Sequence, residues 1–173
     1  MNWNNILSGD CTVYKLGSRM VYPIFRCGFT SIRASADETF INKQIKTRNI
    51  DVLIRDPADR FVSGVNEYAR QNNAEVEATW QLIHDNKLVD KHFAPQYVWL
   101  MHLQKFHKGT VTLYPFKSIK KITRKHSGKW SEKSATKKIA LPCLKDFVEK
   151  DYELLDYLNK TLELNQLLKH VLS

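Results

Sequence analysis

Two segments of the chain combine an arginine with hydroxyl side chains where an apolar strand is predicted to turn into a helix. The first spans residues 22–32, with the sequence YPIFRCGFTSI, and the second spans residues 52–64, with the sequence VLIRDPADRFVSG. A turn that opens a helix presents backbone N–H groups and the positive end of the helix dipole. Two such turns side by side can hold a ligand that carries phosphate groups at both ends.

The first turn offers each kind of group that binds a phosphate. Gly28 permits unusual backbone angles and a close approach by the ligand. Arg26 supplies a permanent positive charge, and hydroxyl groups donate from Thr30 and Ser31. The predicted binding residues of this turn are Arg26, Cys27, Gly28, Phe29, Thr30 and Ser31. An ordinary connection between a strand and a helix is the alternative.

The second turn places Arg55 at the end of a strand and Ser63 eight residues later in the predicted helix. An arginine makes a bidentate, charged contact with a phosphate, and a serine adds a hydroxyl. The alternative is that Arg55 pairs with Asp56 or Asp59 at the surface.

Taken in order, about 30 residues apart, these two segments resemble the sulfotransferase family, which uses 3′-phosphoadenosine 5′-phosphosulfate (PAPS) as donor. The resemblance implies that Arg26 and the amides after it bind the 5′-phosphosulfate, and that Arg55 and Ser63 hold the 3′-phosphate. It also implies transfer without a metal. The chain departs from the family where Arg26 replaces a lysine and Phe29 replaces a small or polar residue.

The segment at residues 90–96, DKHFAPQ, resembles the carbohydrate-directed branch of the family. His92 is therefore the candidate general base for an acceptor hydroxyl, since histidine is the side chain most often used for proton transfer at neutral pH. Glu38 is a rival for this role, and so is Asp37, because some family members use an acid soon after the first helix. A histidine bonded to backbone near a helix start is the alternative interpretation of His92.

Most of the net charge of +9 lies in residues 117–138, which hold nine basic residues and one acid. Such a segment attracts polyanions. By resemblance it stands where the family closes over the donor, so Lys129, with Arg124 and Lys125, is expected near the 3′-phosphate and Trp130 near the adenine. A solvated basic loop and a nucleic-acid surface are the alternatives, and no known nucleic-acid motif is present.

A phosphate-binding loop of the kinase type is not favoured, because the pattern GxxxxGK[ST] is absent. The three cysteines, Cys11, Cys27 and Cys143, are widely separated, so we expect neither a disulfide framework nor a zinc site, and a reducing compartment fits best. A small residue filling the turn is the favoured interpretation of Cys27, and a reactive thiol of lowered pKa is the alternative.

The elements that position these groups alternate between strands and helices. Strands are predicted around the Gly17-Ser18 turn, at residues 50–54 and at residues 110–114, with helices after both motifs and near the C-terminus. This alternation predicts an α/β fold in three layers, with a small central parallel sheet. The first motif and the resemblance add a P-loop-like phosphate-binding turn. The length of 173 residues predicts one domain over residues 1–173.

The longest apolar runs are far shorter than a membrane span, and no signal peptide is recognisable, which predicts a cytoplasmic protein with no membrane partner. The favoured function is transfer of a sulfuryl group from PAPS to a hydroxyl acceptor, with a carbohydrate as the preferred class. A catalytically impaired module of the same fold that binds nucleotide or polyanion is the first alternative. A nucleic-acid-binding protein is the second.

Overall fold

The computed structural model describes residue 3 and residues 6–45, 49–123 and 144–173. Strands in these ranges are β1 (Thr12–Leu16), β2 (Arg19–Tyr22), β3 (Glu38–Ile41), β4 (Asn49–Ile54), β5 (Thr110–Pro115) and β6 (Thr161–Glu163). Helices are α1 (Phe29–Ser35), α2 (Pro57–Gln71), α3 (Val76–His84), α4 (Gln96–Gln104), α5 (Ile119–Ile122), α6 (Leu144–Glu153) and α7 (Leu164–Leu172).

The six strands form one sheet in the order β3-β1-β2-β4-β5-β6. Strand β4 pairs in parallel with both β2 and β5, whereas β1, β3 and β6 are attached through antiparallel pairings. The predicted α/β class is confirmed, and helices flank the sheet. The sheet is mixed, however, because parallel pairing is confined to its centre.

The central strand β4 and the helix after it form as their sequences predict. Residues 50–54 are buried on both faces of the sheet, as expected for a continuous apolar strand between two parallel neighbours. Asp56 then caps α2 by accepting a hydrogen bond from the Asp59 N–H at 2.9 Å, and Pro57 occupies the first helical position. Arg55 is thereby held between a rigid strand and a capped helix.

The connections that follow β2 and β4 run in opposite directions. From β2 the chain passes through α1 to β3 at one edge of the sheet, and from β4 it passes through α2, α3 and α4 to β5 on the other side. The turns after these neighbouring strands therefore lie next to each other. In open α/β sheets, ligands bind at this kind of topological switch point, outside the carboxyl ends of the strands.

The buried side chains pack in two clusters. The larger one joins the sheet to α4 and α7, and the smaller one joins α2 and α3 through Phe61, Trp80 and Phe93 with Val148 of α6. Both clusters meet at the switch point, since α2 and α4 begin there. Among the residues described, no helix has the length and apolar character needed to cross a membrane.

Candidate functional site

The turn after β2 has a tightly folded backbone. The Cys27 N–H donates to the carbonyl of Ile24 at 3.0 Å, and both Arg26 and Gly28 have positive φ, at 65° and 85°. A Cβ atom at Gly28 would lie 2.0 Å from Ile119 Cδ1, so the position requires glycine for space as well as for conformation. Residues other than glycine rarely adopt the backbone conformation of Arg26. Where such residues do occur, they are concentrated at functional sites.

Helix α1 begins shortly after Arg26 with amides that its own backbone does not use. The Ile32 N–H makes the first intrahelical bond, to the Gly28 carbonyl at 2.9 Å, so the amides of residues 28–31 have no acceptor within the helix. Thr30 is exposed and Ser31 is partly exposed. The Cys27 amide, which was expected to belong to this set, is used inside the turn.

The Arg26 side chain joins the two predicted motifs. Its Nε donates to Ser63 Oγ at 2.8 Å, and its Nη1 lies 3.8 Å from Glu67 Oε2. Burial lowers the pKa of Arg26, and the neighbouring Glu67 carboxylate opposes that effect. Because a guanidinium stays charged at any physiological pH, the arginine presents a fixed cation next to the Ser63 hydroxyl.

Arg55, which directly follows β4, also contacts the turn after β2. Its Nη1 is 3.5 Å from the Arg26 carbonyl oxygen, and its guanidinium carbon lies 5.5 Å from the centre of the Phe116 ring. Within residues 49–123 it forms no ion pair with Asp56 or Asp59, which was the alternative expected from sequence. The guanidinium is therefore not neutralised by its neighbours in sequence.

His92 approaches this cluster from the segment before α4. Its Nδ1 lies 2.6 Å from Asp90 Oδ1, and its backbone N–H donates to the same oxygen at 2.8 Å. Although burial acts to raise the pKa of Asp90, these bonds from His92 hold it below its usual value. A proton on Nδ1 shared with Asp90 leaves Nε2 as the basic atom. The ring centre lies 5.5 Å from that of Phe25, the residue before Arg26.

Helix α2 also touches the His92 segment directly. A Cβ atom on Gly64 would lie 2.1 Å from the His92 carbonyl oxygen, so the backbones approach closely next to Ser63. The structure thus brings together Arg26, the turn at residues 28–31, Arg55, Ser63 and His92.

Of the other predicted site residues, Glu38 lies elsewhere and Lys129 is not among the described residues. Glu38 is on the edge strand β3, where it pairs with Lys15, and Lys15 is itself level with Met20 at the start of β2. Because β1 lies between β3 and β2, two inter-strand spacings of about 4.8 Å separate Glu38 from β2, which is roughly 10 Å. Glu38 is also level with the start of β2, whereas the turn with Arg26 follows the end of that strand. Lys129 lies outside the described residues, as do Arg124, Lys125 and Trp130.

Cys27 lies behind the turn rather than on its surface. Its side chain is fully buried, and Sγ donates to Gln96 Oε1 at 3.4 Å. Burial raises the pKa of the Cys27 thiol to about 11, so the thiol is protonated at neutral pH. The reactive, low-pKa thiol considered from sequence is therefore wrong, and the space-filling interpretation agrees with the structure.

Three buried polar residues behind the site were not predicted from sequence. Arg60 is 1% exposed, and its Nε donates to the Phe25 carbonyl at 3.1 Å. Gln96 and Asp151 are also buried, and Asp151 accepts hydrogen bonds from the amides of Gln96 at 2.6 Å and Tyr97 at 2.8 Å. The contacts of Asp151 with the amides of Gln96 and Tyr97 span more than 50 residues, so they leave no local signal in the sequence.

Burial raises the pKa of Asp151 to about 6, although the nearby Arg60 charge and the two amides oppose the shift. The folded protein therefore binds this proton more tightly than the unfolded chain does. The contribution of Asp151 to the free energy of unfolding is largest below pH 3.8 and falls by about 3 kcal/mol as the pH rises through 6.

Asp151→Asn should abolish this titration. We expect the variant to be less stable than the wild type at pH 4, because a carboxamide side chain cannot accept from both backbone amides, and the difference to shrink by about 2 kcal/mol towards pH 7. Urea unfolding at intervals between pH 4 and 7 measures it. Asp146→Asn, which changes an exposed acid on the same helix, should keep the wild-type pH dependence. A constant difference between Asp151→Asn and wild type would show that Asp151 does not titrate in this range.

In comparisons with known proteins, no family model matches the chain, and neither a curated protein nor a solved structure is significantly similar to it. The site must therefore be judged by its own geometry. Among the described residues, no group of three or more His, Cys, Asp or Glu side chains is placed to hold a metal ion.

The arrangement can bind an anionic ligand and remove a proton beside it. Two guanidinium groups, one hydroxyl and the first amides of α1 surround the turn after β2. Charged donors of this kind form the strongest hydrogen bonds to phosphate oxygens. The Asp90–His92 pair lies a few residues before α4, with the His92 ring against Phe25 of the same turn, and an imidazole can accept a proton.

Proposed function

We propose that the chain is a sulfotransferase that moves a sulfuryl group from PAPS to a hydroxyl acceptor, with a carbohydrate as the preferred class. The observation that carries the proposal is the meeting of Arg26, Arg55 and Ser63 outside the carboxyl ends of the adjacent parallel strands β2 and β4. A ligand with one phosphate in each turn accounts for both arginines, and PAPS carries its anionic groups at the 5′ and 3′ positions.

In this proposal the protein is a three-layer sandwich, and the turn at residues 26–31 acts as a P-loop-like cradle for the 5′-phosphosulfate. The first amides of α1 with Thr30 and Ser31 donate to its oxygens, and Arg26 supplies the charge. Arg55 and Ser63 hold the 3′-phosphate. The arginine at position 26 is chemically acceptable because the leaving group is a phosphate, which needs charge stabilisation but no proton from the enzyme.

The reaction that follows is an in-line displacement at sulfur. His92 Nε2 takes the proton of the acceptor hydroxyl while its oxygen forms a bond to the sulfur atom. The bond between sulfur and the bridging oxygen breaks, and its electron pair remains on the 5′-phosphate of 3′-phosphoadenosine 5′-phosphate. Arg26 and the amides of the turn stabilise the negative charge that develops there. Asp90 stabilises the imidazolium that results.

The basic segment adds to the positive potential at this place. It starts at Lys117, and α5 carries the exposed Lys120 and Lys121. Ile119, which precedes these two lysines, packs over Gly28, and Phe116 lies against Arg55. The segment therefore begins directly over the proposed donor site, which supports a role for its lysines, including Lys129, in attracting or covering the donor.

The first experiment is a calorimetric titration with 3′-phosphoadenosine 5′-phosphate, alongside AMP and ATP, in the absence of metal. We expect a dissociation constant on the order of 1 µM for the bisphosphate and binding weaker by about 100-fold for AMP, which lacks the 3′-phosphate. Equal affinity for the three nucleotides, or no binding of the bisphosphate, would remove the donor site and with it the proposed reaction.

The proton-transfer role of His92 is tested with His92→Gln. The variant should transfer sulfate at least about 100-fold more slowly, while bisphosphate affinity changes less than about twofold, because the base acts on the acceptor and not on the donor. The measurement uses labelled PAPS and an acceptor found in a panel of saccharides. His84→Gln, at an exposed histidine on α3, is the matched control. An unchanged turnover number in His92→Gln would assign the base elsewhere.

A binding module without turnover is the second candidate, and one observation favours it. The Arg26 guanidinium, expected at the phosphosulfate, is bonded to Ser63, which is expected at the 3′-phosphate, and it also faces Glu67. A single anion held between them would use both turns and leave no cation at the sulfuryl group. Bisphosphate binding with no sulfate transfer to any acceptor in the panel would establish this alternative.

A further inference from the structure

The side chain of Gln96 contacts both the turn after β2 and the turn after β4. Its Nε2 donates to the Arg55 carbonyl at 3.0 Å, and its Oε1 accepts from the Arg55 N–H at 3.0 Å. The same oxygen accepts from Cys27 Sγ at 3.4 Å. The amide therefore pairs with both backbone groups of Arg55, as a neighbouring strand would, and also reaches the turn after β2.

Gln96 is itself held in place by a carboxylate from a distant helix. The N-cap residue of α4 is Pro95, whose side chain makes no capping bond. Asp151 of α6 takes over this function, since it accepts from the amides of Gln96 and Tyr97. Both Gln96 and Asp151 are essentially inaccessible to solvent, at 0% and 1% exposure. The backbone of Gln96 is thus held by Asp151, and its side-chain amide is held by Arg55.

We propose that Gln96, held by Asp151, is the positioning residue that fixes the spacing between the turn after β2 and the turn after β4. This inference rests on the proposed function, and it adds the reason why the site would prefer a ligand with two anionic groups to one with a single phosphate. A ligand with two anionic groups at a set separation binds only when both turns keep that separation. A ligand with one phosphate needs only one of the turns.

Among the described residues, few other hydrogen bonds join the turn after β2 to the turn after β4 and the helix that follows it. Arg55 Nη1 reaches the Arg26 carbonyl at 3.5 Å, and this side chain must also serve the ligand. The Arg26 Nε–Ser63 Oγ bond joins side chains that are themselves proposed ligand-binding groups. Gln96 lies behind the turns, so it remains available to hold them when the ligand occupies Arg26 and Arg55. The buried Arg60 also lies there and donates to the Phe25 carbonyl at 3.1 Å. Of the residues described, however, only Gln96 bonds to the backbone of Arg55 and to Cys27 at once.

The test replaces Gln96 with methionine, which has a similar length but neither donates nor accepts at the amide positions. The backbone N–H and carbonyl of Arg55 then lose buried partners. We expect affinity for 3′-phosphoadenosine 5′-phosphate to fall about tenfold or more, while affinities for AMP and for adenosine 3′-phosphate change less than about twofold. The matched control is Gln104→Met, on the last turn of the same helix, where Gln104 bonds to the side chain of Asn165 at the surface.

Hydrogen exchange of the Arg55 amide and the rate of Cys27 alkylation, mapped by mass spectrometry, report on the link without any ligand. Both rates should rise in Gln96→Met and stay at the wild-type value in Gln104→Met.

The outcomes separate this inference from the proposed function. A wild type that does not prefer the bisphosphate would overturn the function and the ligand choice together. A wild type that prefers it, combined with an unchanged preference in Gln96→Met, would overturn the positioning role alone. Equal losses for all three nucleotides in Gln96→Met would show a general structural role, which also contradicts the inference.

Discussion

Replacing Arg55 with alanine is expected to weaken binding of 3′-phosphoadenosine 5′-phosphate by about 100-fold, or about 3 kcal/mol, because a bidentate charged contact to the 3′-phosphate is lost. AMP affinity should change less than about threefold, since AMP has no group at that position. The fold should persist, because the guanidinium makes only a long hydrogen bond to the Arg26 carbonyl and a contact with the Phe116 ring. Calorimetric titration of both nucleotides measures the effect.

Arg33→Ala is the matched control for Arg55→Ala. It removes the same charge from an exposed arginine in the last turn of α1, so it reports the part of the loss that comes from net charge alone. We expect that part to be less than about threefold at physiological salt. Undiminished bisphosphate binding in Arg55→Ala would contradict the two-turn site, whatever the control shows.

Gly64→Ala is expected to lower the free energy of unfolding by about 3 kcal/mol or more. In an open helix this change would raise stability by about 1 kcal/mol. Here the new Cβ atom would lie 2.1 Å from the carbonyl oxygen of His92 and 3.0 Å from the Cα atom of Phe93. Backbone atoms cannot rotate away, so α2 and the His92 segment must move apart. Urea unfolding and a melting temperature lowered by about 6–12 °C provide the measurement.

The control for Gly64→Ala is Gly17→Ala, in the turn between β1 and β2. A Cβ atom at Gly17 meets nothing within 4 Å, but φ there is 61°, so the expected cost is only about 1 kcal/mol of backbone strain. Because Ser63 precedes Gly64, the larger change should also disturb the contact between Ser63 and Arg26. If Gly64→Ala were as stable as the wild type, α2 and the His92 backbone would not be packed as described.

Elements with a local physical signal were predictable from the sequence. The apolar run in β4 predicted a buried central strand, and Asp56, Pro57 and Asp59 predicted the start of α2, because capping involves groups within a few residues. The glycine at position 28 and the hydroxyls after it predicted a turn that opens a helix. The arginines at the ends of β2 and β4 were predictable as anion-binding candidates for the same reason.

The edge strands carried no such signal. Strand β3 is four residues long and β6 is three, and both are largely exposed, so no alternation of apolar and polar residues marks them. They form because neighbouring strands offer backbone partners. Together with the antiparallel β1–β2 pair, these edge strands make the predicted parallel sheet mixed. Glu38 follows the first helix closely in sequence but lies on the edge strand β3.

By itself, then, the sequence determined which short segments form the β4–α2 unit and the turn before α1, and which side chains they carry. Only the tertiary structure decided that Arg26 meets Ser63, that burial raises the pKa of the Cys27 thiol, and that Gln96 bonds to Arg55 and Asp151. The physical reason is the distance along the chain between the residues that interact. Caps and turns are settled by neighbours along the chain, whereas buried hydrogen bonds between residues such as 96 and 151 exist only after the sheet and helices have packed.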